Sequence, residues 1–140
     1  MKKLLQLDFL PRSADLGLLL LRLTFGFGLL YLHGWDKMTK FGELRSKFPD
    51  PLGIGSPASL TLAVFGEVVC MALIVLGLYT RLSALVGAVT MAVAFFIVHG
   101  GKLSGQGNGE LAAAYLAVFV ALFVAGAGRY SLDAKLGAKV

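Results

Sequence analysis

The sequence predicts an all-α, polytopic membrane protein: an antiparallel bundle of four transmembrane helices with a short interfacial helix in its first loop. Hydrophobic residues make up 57% of the 140 residues and charged residues only 15%. The mean hydropathy of +0.80 is too high for an ordinary soluble domain. Four apolar segments follow one another, and the length suits one domain, residues 1–140, with about four spans.

The first span is expected at residues 14–38, after Pro11 and with Ser13 as its cap. The basic start, MKKLLQLDFLPR, is reminiscent of a signal peptide. However, the apolar run that follows carries Arg22 and ends without a small-residue cleavage site, so we expect a retained span.

The later spans are expected at residues 59–79, 81–100 and 108–126. The turn between the second and third is only Thr80-Arg81, where the third span begins, so these helices must be antiparallel neighbours. On the last span, alanines recur every four residues, and we expect this small face to make close helix contacts. The face consists of Ala113, Ala117, Ala121 and Ala125, which leaves Leu116, Phe119, Phe123 and Val124 for the lipid.

The one long connection, residues 39–58, contains the predicted interfacial helix. Phe41, Leu44 and Phe48 recur at helical spacing among charged residues, and prolines follow them. This segment is either a lid over a pocket or a surface anchor.

The distribution of basic residues predicts the orientation. The net charge of +5 lies mainly at span ends, which favours acidic lipid headgroups as counterions and argues against nucleic acid as a partner. The positive-inside rule favours cytoplasmic termini. One face carries Lys2, Lys3, Arg12, Arg81, Arg129, Lys135 and Lys139, and the other carries Lys37, Lys40, Arg45, Lys47 and Lys102.

Each apolar segment carries an ionisable residue: Arg22, Glu67, His99 and Glu110 in order. A charge in hydrocarbon costs at least roughly 2.5–3.5 kcal/mol, so such residues face a bundle interior, a partner or a wet cavity. With a rise of ~1.5 Å per residue, Arg22 and Glu67 come within about 6 Å in height. We therefore expect an ion pair between them, with snorkelling of Arg22 to the inner headgroups as the alternative.

The same arithmetic brings four ionisable residues together at the outer end of the bundle, with Glu67 below them: His33, Lys37, His99 and Glu110. Each has a purely structural alternative. Glu110 suits the dipole of its helix, Lys37 suits an interface anchor, and a histidine near an interface is satisfied by backbone groups.

Other chemistry is disfavoured by spacing. The histidines and glutamates lack the close pairs of metal sites, and no flavin motif is evident. The glycine run at residues 105–109 lacks the strand and the lysine of a phosphate loop. Cys70 is the only cysteine, which excludes an intrachain dithiol.

The sequence resembles the DoxX family of small bacterial membrane proteins over about residues 16–133. The resemblance rests on Arg22-Leu23 with Gly26, His33-Gly34 and Lys37, Glu67, Leu76-Gly77-Leu78 before Thr80-Arg81, His99, Glu110, and Gly126-x-Gly128-x-Tyr130-Ser131-Leu132-Asp133. It implies membrane redox chemistry, as in thiosulfate:quinone oxidoreductase subunits and oxidoreductase complexes of oxidative-stress defence.

The leading hypothesis is a quinone-linked oxidoreductase subunit or small enzyme in the bacterial plasma membrane. His33, His99 or Glu110 would exchange protons with a quinone or quinol, while Arg22, Lys37 and Glu67 form the pocket. The alternative is a non-catalytic membrane assembly or chaperone-like subunit of a larger complex. Solute transport is a third possibility, disfavoured because polar residues thin out toward the cytoplasmic half.

Overall fold

The computed structural model describes Leu5, Leu7 and residues 11–139. Helices and their connections make up this part of the chain, and it contains no strand, so the all-α prediction is confirmed. Lys2 and Lys3, which entered the orientation argument, lie outside the described residues. The helices of residues 11–139 are α1 (Ala14–Thr39), α2 (Phe41–Leu44), α3 (Ser56–Leu76), α4 (Thr80–Val98), α5 (Glu110–Ala125) and α6 (Leu132–Lys135).

Three helices in the described part of the chain are long and apolar enough to cross a membrane: α1 with 26 residues, α3 with 21 and α4 with 19. The fourth apolar helix, α5, has 16 residues. At ~1.5 Å per residue it is about 24 Å long, shorter than a typical ~30 Å hydrocarbon core.

The helix α1 starts as the sequence predicts, because the Ser13 hydroxyl accepts a hydrogen bond from the Leu16 N–H at 3.1 Å. The end of α3 differs from the expected span, which ran to Tyr79. Gly77 adopts a left-handed conformation with φ of 69°, and the Leu78 N–H returns to the Leu73 carbonyl at 2.9 Å. This cap ends α3 at Leu76. In the long connection, only Phe41–Leu44 forms the short helix α2.

The connections between the helices lie at two opposite ends of the structure, which are named the loop end and the tail end. The loop end holds residues 40–55 and 99–109, and the tail end holds the α3–α4 turn and residues 126–135. The core between them receives side chains from all four apolar helices. It includes Leu29 of α1, Met71 and Ile74 of α3, Ala84 and Met91 of α4, and Tyr115, Phe119 and Leu122 of α5.

The orientation of α5 about its own axis differs from the one expected. Phe119, which was expected to face lipid, is fully buried. Ala117, Ala121 and Ala125 are exposed. The prediction that the alanine face makes the helix contacts within this chain is therefore wrong. Tyr115, Phe119 and Leu122 fill the space between the helices, whereas these three alanines lie on the outside and Val124 is exposed as expected.

Wide, π-type turns interrupt the helices at the ionisable residues. Arg22 begins the segment Arg22–Gly26, His33 lies in Leu30–Gly34, and Glu67 lies in Phe65–Val69. His99 directly follows Val93–Val98. Such turns are frequent at functional sites, because they shift the register of the side chains that follow.

Candidate functional site

A groove of about 670 Å³ runs between α3 and α4 at the loop end, and it is called the α3–α4 groove below. Three of the predicted site residues line it, each from a different helix or helix end: Lys37, Glu67 and His99. The rest of its lining is mainly apolar: Phe48, Pro49, Pro51, Leu52, Ser59, Leu62, Ala63, Phe65, Leu85, Val86, Val89, Thr90, Val93, Ala94 and Val98.

The groove is open on its apolar side. Phe65 of α3 is 48% exposed and Val89 of α4 is 57% exposed, although both line the groove. Large apolar side chains at this edge suit contact with lipid better than contact with water. A ligand with an aliphatic part can therefore reach the groove from the side.

The polar part of the groove is an ion pair between the Lys37 ammonium and the Glu67 carboxylate. The Glu67 side chain is only 7% exposed and that of Lys37 is 22% exposed. Gly34, one turn before Lys37, makes this pairing possible. A Cβ at Gly34 would lie 2.6 Å from the Glu67 carbonyl oxygen, so α1 approaches α3 closely only because residue 34 lacks a side chain.

His99 lies at the end of α4, where its backbone N–H bonds to the Ala94 carbonyl at 3.0 Å. Its ring Nδ1 is 2.9 Å from the Gly107 carbonyl oxygen. Because a carbonyl only accepts hydrogen bonds, Nδ1 must carry the hydrogen of this bond. In the neutral ring Nε2 is then unprotonated and is a proton acceptor.

The segment before α3 closes one wall of the groove with Phe48, Pro49, Pro51 and Leu52. Asp50 holds this segment. Its carboxylate accepts hydrogen bonds from the Ser59 hydroxyl at 2.7 Å, and from the N–H groups of Gly55 at 2.8 Å and Ile54 at 3.0 Å.

The bond from Ser59, followed by that from Gly55, holds the pKa of Asp50 below its ordinary value. Both bonds favour the charged carboxylate. The wall is therefore attached most firmly when Asp50 is ionised.

Arg22 does not line the groove, and the predicted ion pair between Arg22 and Glu67 is wrong. The guanidinium extends to the tail end instead, where it is fully buried and donates a hydrogen bond to the Tyr130 carbonyl. Its Nε and Nη1 atoms have no hydrogen-bond partner among the described residues. Asp133 is the acidic side chain whose charge acts on the guanidinium. Arg22 therefore pairs with the tail of its own chain, and its full burial does not match the alternative of snorkelling to headgroups either.

The tail that receives Arg22 forms a second cluster of polar contacts, which was not predicted from the sequence. The Asp133 carboxylate accepts hydrogen bonds from the N–H groups of Tyr79 at 2.8 Å and Thr80 at 2.9 Å, at the start of α4. The Asp133 N–H in turn donates to the Gly77 carbonyl at 2.8 Å. The signal in the sequence is the Ser131-Leu132-Asp133 motif, which is part of the resemblance to the DoxX family.

The remaining predicted residues lie at the loop end but do not line the groove. His33 is half-buried, and its ring meets that of Tyr115 edge-to-face with centroids 6.3 Å apart. Glu110 is exposed in the first turn of α5, and its N–H bonds to the Asn108 side chain at 3.1 Å. The structure thus brings Lys37, Glu67 and His99 together and leaves His33 and Glu110 apart from the groove. Within residues 11–139, with Leu5 and Leu7, no three His, Cys, Asp or Glu side chains are grouped as a metal site requires.

The sequence model of the DoxX family matches residues 17–100, which include most of α1, all of α3 and α4, and all three groove-lining ionisable residues. The chain belongs to the DoxX family. Two relatives from Haemophilus influenzae, both described as uncharacterized proteins, are also similar to this chain. One is 35% identical, covering 76% of this chain and 81% of its own length, and the other is 32% identical, covering 86% and 83%. No solved structure matches the chain.

The DoxX match and the apolar helices together make this chain a membrane protein. The matched region ends at Gly100, before α5 and the tail. The groove of this DoxX protein is therefore built almost entirely from the region that the family shares.

Proposed function

We propose that the α3–α4 groove binds a membrane quinone or quinol, and that the protein serves quinone-linked redox metabolism as an oxidoreductase subunit. The observation that carries the proposal is the composition of the groove. A long apolar lining leads to one partly buried ion pair, Lys37 with Glu67, and to one histidine. An isoprenoid quinone has the same division into a long apolar chain and a small uncharged polar ring.

The proposed topology has four membrane spans, α1, α3, α4 and α5, in the bacterial plasma membrane with both termini in the cytoplasm. The loop end then faces outward, α2 lies at the membrane interface, and the open edge of the groove faces lipid. The apolar surface of the helices and the distribution of basic residues support this arrangement. Membrane lipids are therefore constant partners of the protein.

The residues of the groove suit a quinone ring. The Lys37 ammonium has three N–H donors, of which the Glu67 carboxylate needs only one, so it can donate to a carbonyl oxygen of the ring. His99 Nε2 can accept a hydroxyl proton from the reduced form. The bound molecule would supply the electron chemistry, and this chain would position the ring and take up a proton.

Electrons must pass to another protein. Cys70 is the only cysteine of the chain, so it cannot form an internal dithiol. Other redox subunits are therefore the proposed protein partners. His33 and Glu110 stay sequence predictions as proton-exchanging groups, outside the lining of the groove.

Fluorescence of the single tryptophan, Trp35, tests the binding. Trp35 lies two residues before Lys37, and we expect a short-chain quinone to quench it saturably in lipid nanodiscs. Val89→Phe narrows the groove and should abolish the saturable part of the Trp35 quenching. Val124→Phe, on the exposed face of α5, is the matched control and should not. Equal quenching in both variants would show that the quinone binds elsewhere.

The second candidate is a non-catalytic assembly subunit, which the exposed alanine face of α5 favours. Small residues on a helix surface allow another helix to approach closely. Substituting Ala117→Leu and Ala121→Leu should then prevent assembly of the complex. If Glu67 or His99 variants lost assembly while quinol turnover stayed unchanged, this second candidate would replace the first.

A further inference from the structure

We infer that the Lys37–Glu67 ion pair makes the α3–α4 groove select amphiphiles with uncharged headgroups and reject anionic ones. The inference rests on the proposed function, because it takes the groove to be a binding site for an amphiphile. It adds a specificity device: Glu67 acts by cancelling the charge of Lys37.

The charges of the groove balance. Among the described residues that line it, Lys37 and Glu67 are the ones with a formal charge at neutral pH, and they contact each other. The Nδ1–H of His99 is committed to the Gly107 carbonyl. The lining therefore carries no net charge, and a lone lysine in the same place would attract fatty acids and phospholipids.

The carboxylate of Glu67 is also fixed in place. Its side chain is 7% exposed, and the close contact of Gly34 with the Glu67 backbone holds α3 against α1. An anionic headgroup that reached Lys37 would have to lie beside this carboxylate in a region of low dielectric, where like charges repel strongly. A neutral carbonyl oxygen meets no such repulsion.

The other polar side chains that line the groove do not make it attractive to an anionic headgroup. The Ser59 hydroxyl donates to Asp50, and the Thr90 hydroxyl donates to the Val86 carbonyl at 2.9 Å. Asp50 itself adds a negative charge beside the groove wall. No hydroxyl of the lining is left to replace the lysine as an anion donor.

A matched pair of probes tests the inference. Laurate at pH 8 and monolaurin have the same acyl chain, but only laurate is charged. Their competition against the saturable quinone quenching measures both affinities in nanodiscs. We expect the unmodified protein to bind monolaurin at least tenfold more tightly than laurate.

The substitution Glu67→Gln keeps the shape of the side chain and leaves Lys37 unpaired, so laurate affinity should rise at least tenfold. The double substitution Lys37→Gln with Glu67→Gln removes both charges and should restore the preference for monolaurin. If Glu67→Gln does not fold, the double variant is compared with the unmodified protein instead, and both should prefer monolaurin to laurate.

Equal affinity of the unmodified protein for both probes, or no gain of laurate affinity in Glu67→Gln, would overturn the inference while quinone binding stands. Absence of saturable quinone binding in the unmodified protein would instead overturn the proposed function.

Discussion

The guanidinium of Arg22, in the first third of α1, donates a hydrogen bond to the carbonyl of Tyr130, 108 residues later in the chain. The bond joins the first apolar helix to the tail that follows the last one. Asp133, three residues after Tyr130, binds the start of α4 through two backbone N–H groups. The tail is therefore bound to both α1 and the start of α4, and Arg22 has a structural role there.

Replacing Arg22 with lysine should loosen the tail. A lysine lacks the planar fork of the guanidinium and is shorter, so its ammonium should not reach the Tyr130 carbonyl in the same geometry and the hydrogen bond should be lost. We expect a loss of roughly 1.5–3 kcal/mol in the free energy of unfolding. Hydrogen exchange of residues 126–135 should rise in the same variant. Arg129→Lys, at an exposed position, is the control, and unchanged exchange in Arg22→Lys would contradict the role.

Gly77 is expected to tolerate no side chain. Its φ is +69°, and a Cβ there would overlap the Arg22 guanidinium and lie 2.6 Å from the Ser131 Cβ. Gly77→Ala should lower the free energy of unfolding by at least about 1–3 kcal/mol from backbone strain and collision. Gly100→Ala is the control, because Gly100 has a similar φ of +61° but no atom within 4 Å of a Cβ. Its effect therefore measures the backbone strain without the collision. Equal shifts in Tm for the two variants would show that the Arg22 contact is unimportant.

Gly34→Ala should damage the groove and the fold together. The new Cβ would meet the Glu67 carbonyl, so α1 and α3 must separate, at roughly 1–3 kcal/mol of stability. Quinone affinity should fall in parallel as the Lys37–Glu67 contact lengthens. Gly17→Ala on the same helix meets nothing within 4 Å and should be neutral or stabilising by up to about 1 kcal/mol. Thermal unfolding in detergent measures the stability of the two variants, and Trp35 quenching measures their quinone affinity.

Acid should release the groove wall that Asp50 holds. The pKa of Asp50 is below its ordinary value because Ser59 and then Gly55 donate hydrogen bonds to the charged form. Its contribution is therefore complete above the ordinary carboxyl pKa of about 4 and disappears as pH falls through the lowered value. The amide NMR shifts of Ile54 and Gly55 should follow that titration. In Asp50→Asn they should be independent of pH over the same range, and an unchanged titration there would assign it to another group.

The sequence was sufficient for much of the fold and part of the site. Hydropathy located α1, α3 and α4, because a run of apolar residues of this length is a strong signal. Helical rise also brought Lys37, His99 and Glu67 to one end. The prediction of the partner of Arg22 failed. Its partner is a backbone carbonyl in a distant tail, which no residue type signals, whereas Glu67 offered an obvious opposite charge.

The rotation of α5 could not be predicted for a different reason. The helix is apolar on every face, so nothing in its pattern distinguishes the side toward lipid from the side toward the core. The alanine spacing suggested a contact face, yet Phe119 and Tyr115 fill the core instead. In an apolar solvent, packing volume decides the rotation, and a single sequence does not show the space available.

The open edge of the α3–α4 groove has a consequence for how its occupancy is controlled. On the proposed topology, Phe65 and Val89 border the groove where it meets the lipid tails, so a ligand arrives by diffusing within the plane of the bilayer. Its effective concentration is its mole fraction among the lipids. Diluting the sample with buffer would then leave the groove as full as before, while adding more lipid would empty it.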